Sequence, residues 1–107
     1  MSWPRTNAEA TKVERQRNLD QYGQPSYEVV HTHVRVWLEI AHVMERNIDG
    51  EFGRVDGFLI VSAEAELKIG DILTISNEAY EVVQREVHLG ADKRPRTIEC
   101  SIVKQAR

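Results

Sequence analysis

The sequence predicts an all-β chain, mainly antiparallel, folded as a small single-domain barrel or sandwich with a long inter-strand loop and a mobile N-terminal arm. Three observations carry this reading. Residues 58–61, Phe58-Leu59-Ile60-Val61, are a short unbroken apolar run, the pattern of a strand covered on both faces. After Gly70-Asp71 the pattern alternates instead, with Leu73 and Ile75 on one side and Ile72, Thr74 and Ser76 on the other, as in a strand with one wet face. From residue 30 to 40 the even positions are Val30, Thr32, Val34, Val36, Leu38 and Ile40, while the odd ones are polar except Trp37.

Bulk properties agree with a small barrel. A chain of 107 residues is one domain and can bury roughly 65% of its unfolded surface, enough for a core without metal or disulfide staples. The apolar fraction of 41% is low and the charged fraction of 29% high, as suits a domain with much surface per residue. A net charge of −3 argues against a coat for nucleic acid, which would cluster Lys and Arg against phosphates. The single cysteine, Cys100, excludes an intramolecular disulfide and fits a reducing compartment. No run has the length of a membrane span and the N-terminus lacks an apolar signal segment, so synthesis in a cytoplasm and no membrane partner are expected.

Residues 1–17 carry Arg5, Lys12, Arg15 and Arg17 against Glu9 and Glu14, with only Met1, Trp3 and Val13 as large apolar residues. This is the expected arm, either flexible or a short helix capped by Asn7, and a short edge strand over residues 11–15 is an equal reading. Trp3 on such an arm is suited to anchor in a neighbouring subunit. Residues 18–107 then form the barrel domain. Asp20-Gln21-Tyr22-Gly23-Gln24-Pro25 is turn chemistry, followed by the long alternating strand, whose length predicts a bend, a bulge or an extension beyond the barrel. Residues 45–56 hold two glycines, four acids and two arginines without a clear apolar period, and form the expected long loop. It is read either as a solvated hairpin tip or as a binding or gating loop. Asn77-Glu78 is the expected turn after the strand ending near Ser76, with a loop longer than two residues because Glu disfavours positive φ. A polar tip over residues 90–96 leads to a last strand over 97–103, with Ile98, Cys100 and Ile102 on one face.

Reactive constellations are sparse. His31-Thr32-His33 places two imidazoles on one face of a strand, with His42, His88 or Glu39 as further ligands, but two ligands do not make a metal site, and solvated histidines are the simpler reading. Cys100 sits where a small hydrophobe belongs and reads as buried structure. Nucleophile and phosphate-loop motifs are absent from the sequence, and Glu64 and Glu66 fall in a surface turn. Neither an enzyme nor a cofactor is expected.

The order of features resembles the head–tail joining proteins of tailed bacteriophages, small barrels that act as stopper or connector between portal and tail. The resemblance is carried by Lys12-Val13-Glu14-Arg15, Asp20-Gln21-Tyr22-Gly23, Val36-Trp37-Leu38-Glu39, a polar loop and the apolar strand 58–61. It continues through Leu67-Lys68-Ile69-Gly70-Asp71-Ile72-Leu73-Thr74-Ile75, Tyr80-Glu81-Val82 and a closing strand near 98–103, covering residues 11–104. One departure is Ser62-Ala63-Glu64, where family members often place Arg after the apolar strand. The resemblance implies a ring of identical subunits at the head–tail interface of a virion, between a portal or adaptor protein and a tail or tail-terminator protein. Double-stranded DNA would pass through without sequence recognition, and a loop from each subunit would help to retain it. By position that lumenal plug is Glu45-Arg46-Asn47-Ile48-Asp49-Gly50-Glu51-Phe52-Gly53-Arg54. Subunit contacts would fall to Trp3, Arg15 and Arg17 of the arm and Lys93, Arg94 and Arg96 of the hairpin over 86–96. The alternatives are a non-viral barrel serving as a protein-interaction module, and a metal-binding or RNA-processing barrel built on the histidines.

Overall fold

A computed structural model describes residues 6–19, 21–46 and 52–105, with backbone alone at 43–46 and 52. Six strands, β1 (Ala8–Leu19), β2 (Pro25–Arg46), β3 (Phe52–Ser62), β4 (Ile72–Ile75), β5 (Glu78–Leu89) and β6 (Pro95–Lys104), and one short 3₁₀ turn (Ala63–Ala65) make up the fold. Every pairing is antiparallel and the strands close in the order β1-β2-β3-β6-β5-β4, so the expected all-β barrel is what forms. Closure leaves the central wall without an open edge.

Alternation decides the core. Val36 on β2, Leu59 and Val61 on β3, Leu73 and Ile75 on β4, Val82 on β5, and Ile98, Cys100 and Ile102 on β6 all point inward and are buried. The apolar run 58–61 alternates too: Leu59 and Val61 are fully buried, whereas Phe58 and Ile60 on the outer face are half-buried. Cys100 is 0% exposed, and burial pushes its thiol pKa up to about 12. It is therefore an unreactive core side chain, as the sequence indicates.

Three expectations are corrected. The first 17 residues are not an arm throughout, nor a helix: from Ala8 onward the chain is β1, paired with β2 on one side and β4 on the other, with Ala10 and Val13 buried. The edge-strand reading had the right conformation but too short a span and the wrong place, since β1 is part of the closed wall. Residues 45–56 are not one long loop, because residues 45–46 belong to β2 and 52–56 to β3, with Glu45 opposite Gly53 and Arg46 opposite Phe52. Residues 47–51, at the centre of the expected loop, lie outside the described residues. The β4–β5 turn is Ser76-Asn77, with φ of 51° and 65°, and Ile75 pairs with Glu78. A two-residue hairpin turn with both central φ positive matches the twist of the strands it joins; Asn tolerates that conformation, and Glu78 escapes it by starting β5.

The connection between β3 and β4 folds over one end of the barrel. Leu67 on it is 0% exposed and plugs that end. Asp71, 1% exposed, accepts bonds from Arg15 Nε (2.9 Å), Arg15 Nη2 (2.9 Å) and the Lys68 N–H (2.9 Å). Arg15 Nη2 also reaches the Glu66 carbonyl at 3.2 Å. These bonds lock β1 to the connection and satisfy the buried carboxylate.

Candidate functional site

Strand lengths exceed what the barrel needs, and the surplus forms two-stranded ribbons. The registers place the β1–β2 and β5–β6 hairpins at the end plugged by Leu67, and the β2–β3 hairpin with the β4–β5 turn at the other. Pairing of β1 with β4 stops at Glu14 and pairing of β2 with β3 starts at Trp37, so residues 15–19 and 25–28 pair only with each other. Such a ribbon carries free backbone edges that the wall does not have.

Apolar exposure is lopsided. Among the described residues, the exposed large hydrophobics are Leu19, Tyr22, Tyr27, Val29, Ile69, Val87, Leu89 and Ile40, and all but Ile40 lie at the Leu67 end. Tyr22 is 78% exposed and Leu19 63%. Single exposed hydrophobics mean little, and it is the gathering of seven of them toward one end of a small barrel that distinguishes this surface.

At the opposite end the β2–β3 ribbon leaves the wall over a specific joint. Gly57 pairs with Ile40 on one side and Ile102 on the other, and an added Cβ there would lie 2.7 Å from the Glu39 carbonyl oxygen, so the close approach requires glycine. One residue further the register shifts between Ile40 and Val43, a bulge that re-aims the ribbon. Asp56, 5% exposed, ties the joint together. It accepts from the Lys104 N–H (2.8 Å) on β6, lies 3.1 Å from His42 Nδ1 at the bulge, and 3.2 Å from Arg54 Nε. Asp56, His42, Arg54, Lys104 and Gln105 line a depression of about 390 Å3. The Lys104 bond, with His42 and Arg54 adding to it, holds the Asp56 carboxyl below the usual carboxylate range despite its burial.

That depression of pKa fixes the sign of a pH effect. A carboxyl whose folded pKa lies below its unfolded one contributes stability that is present above the unfolded pKa and is lost as pH falls through the folded one. Wild-type stability should therefore decline below about pH 4, and the decline should be shallower in Asp56→Asn. Denaturant unfolding across that range measures it, and identical acid profiles would show that Asp56 does not couple folding to protons.

The predicted site residues scatter. Arg15, expected as a subunit contact, is an internal tie to Asp71. Arg17 is exposed and pairs with Glu28 across the β1–β2 ribbon. Lys93, Arg94 and Arg96 are exposed around the β5–β6 tip, and Trp3 lies outside the described residues. Of the plug residues, Asn47, Ile48, Asp49, Gly50 and Glu51 also lie outside them; Glu45, Arg46, Phe52, Gly53 and Arg54 are ribbon strand.

The structure does not gather His31 and His33 into a ligand set. His33 has a φ of 54°, which interrupts the extended conformation, and its Nδ1 sits 2.6 Å from Glu9 Oε1. His42 is at Asp56, remote in the register from both. A different group, Glu86, His88 and Glu99, converges on the outer face of β5 and β6. Sequence reasoning missed it: Glu86 and His88 are two apart, but Glu99 joins them only through the β5–β6 register.

What this fold and surface define is a closed six-stranded barrel with projecting ribbons. The chain matches no protein-family model and no curated protein sequence.

Proposed function

We propose that the chain is a structural virion-assembly protein of a tailed phage or prophage, forming a ring at the head–tail interface that joins portal to tail and helps retain packaged DNA. Alongside the resemblance, the observation that carries the reading is the division of the surface. One end gathers all but one of the exposed large apolar residues among the described residues and two ribbons, while the other sends out a single ribbon on a glycine joint.

In this reading the Leu67 end meets neighbouring subunits or the portal. Free edges on residues 15–19 and 25–28 supply backbone donors and acceptors, and Leu19, Tyr22 and Tyr27 supply apolar area. The β2–β3 ribbon reaches the lumen, where its acids avoid adhesion to a passing duplex. Heterologous contact of unlike patches generates a ring when the rotation between subunits closes.

Deletion of residues 47–54 should leave a folded barrel, because the ladder pairs from Gly57 inward are untouched. Heads assembled with it should lose their DNA. Heads that keep DNA normally would remove the plug assignment. Substituting Leu19 and Tyr22 by Ser should abolish attachment to portal-bearing heads while circular dichroism stays unchanged; normal attachment would reject the docking face.

A further inference from the structure

We propose that Glu86, His88 and Glu99 form a binding site for one divalent transition-metal ion on the outer wall of the β5–β6 ribbon, with Zn²⁺ the best-suited class. One potential ligand atom from each of the three residues lies within 4.8 Å of the other two, and His88 Nε2 is 3.1 Å from Glu99 Oε2. Two ligands each about 2.0–2.2 Å from zinc are at most about 4.4 Å apart. A small rotation of these solvent-facing side chains therefore closes the set.

The backbone places the group there. Tyr80 and Val82 face the core, and a strict alternation from them would send Gln84, Glu86 and His88 inward as well. The register shift between Val82 and Gln84 inserts one residue, so Arg85, although exposed, pairs with Cys100, and Glu86 and His88 take the opposite, outward face. Glu86 then stands directly opposite Glu99, with His88 one pleat further along the same face.

The charge arrangement favours a cation. Like charges directly opposite each other across a sheet destabilise the pair, and no salt bridge reaches Glu86 among the described residues. Two carboxylates and a neutral imidazole carry a formal −2, which matches a divalent ion, and the imidazole favours zinc and its neighbours over magnesium or calcium. Glu86 and Glu99 also border a depression of about 300 Å3, which leaves room for water to complete the coordination shell. This site is independent of the assembly reading, since it rests on side chains of β5 and β6 alone.

Titration calorimetry of the full chain with Zn²⁺ should give saturable binding at one ion per chain. His88→Ala and Glu86→Gln should each weaken it at least tenfold, and His31→Ala should leave it unchanged. Excess Mg²⁺ should not displace the zinc. All three substitutions are at residues outside the core, and circular dichroism checks that the variants remain folded. Absence of saturable binding, an unchanged affinity in His88→Ala, or equal competition by Mg²⁺ would overturn the proposal.

Discussion

Asp71→Ala should lower the free energy of unfolding by about 3 kcal/mol, the low end of the cost of removing one partner from a buried ion pair. The low end applies because the Arg15 side chain keeps 20% of its exposure while Asp71 keeps 1%, so water partly recovers the freed guanidinium. Two further losses add to it. The Lys68 N–H gives up its 2.9 Å acceptor, and the connection carrying Leu67 over the barrel end keeps only the 3.2 Å bond from Arg15 Nη2 to the Glu66 carbonyl as its side-chain tie to β1. Only part of the connection is released, because the Asp71 backbone keeps its own bonds: its N–H to the Lys68 carbonyl at 3.0 Å, and its carbonyl to the Val82 N–H at 2.9 Å. A double-mutant cycle with Arg15→Ala should return a coupling of about 1–3 kcal/mol. If urea unfolding places Asp71→Ala within about 0.5 kcal/mol of wild type, the range of ordinary surface changes, the bond network is not what closes that end.

The pattern that made the barrel legible also explains where reading failed. Residues 72–75 and 97–103 repeat every second residue, and there inward and outward positions could be assigned directly; the unbroken run 58–61 reads as covered on both faces, and only the structure separates buried Leu59 and Val61 from half-buried Phe58 and Ile60. The largest errors fall where the period breaks. β1 exposes its periodicity poorly because two of its inward residues are alanines, Ala8 and Ala10, and because the irregularity between Ala10 and Lys12 brings Val13 inward at odd spacing. A charged segment with that spacing reads as an arm. Residues 45–56 looked like a loop because their apolar residues, Ile48, Phe52 and Val55, keep no two-residue period even though Val55 and Asp56 are buried at the base of the ribbon. Gly53 also suggested a turn, although it stands within the ribbon opposite Glu45. The Glu86–His88–Glu99 group was hidden by the bulge after Val82, which reverses which residues share a face. The exposed apolar set at the ribbon ends carries no motif at all, since its residues come from separate strands and turns.

Leu59→Ala should cost about 2–5 kcal/mol, whereas Ile60→Ala, one residue along the same strand, should cost about 1 kcal/mol or less. Leu59 is 0% exposed, faces Leu38 and Cys100 in the register, and belongs to the central cluster. Truncation leaves a void that two rigid neighbouring strands cannot collapse into, so the cavity cost adds to the lost transfer energy. Ile60 pairs with Trp37 and Glu99 on the outer face and is only partly buried. Its truncation removes less buried area and opens no cavity. Denaturant midpoints at constant m-value separate the two cases. Equal losses would mean that both faces of β3 are sealed in the free chain, which the barrel geometry denies. The unequal result leaves Phe58 and Ile60 as partly covered apolar side chains on the outer face. In the proposed ring, that surface would be available to another protein, and Ile60→Asp would then impair assembly more than folding.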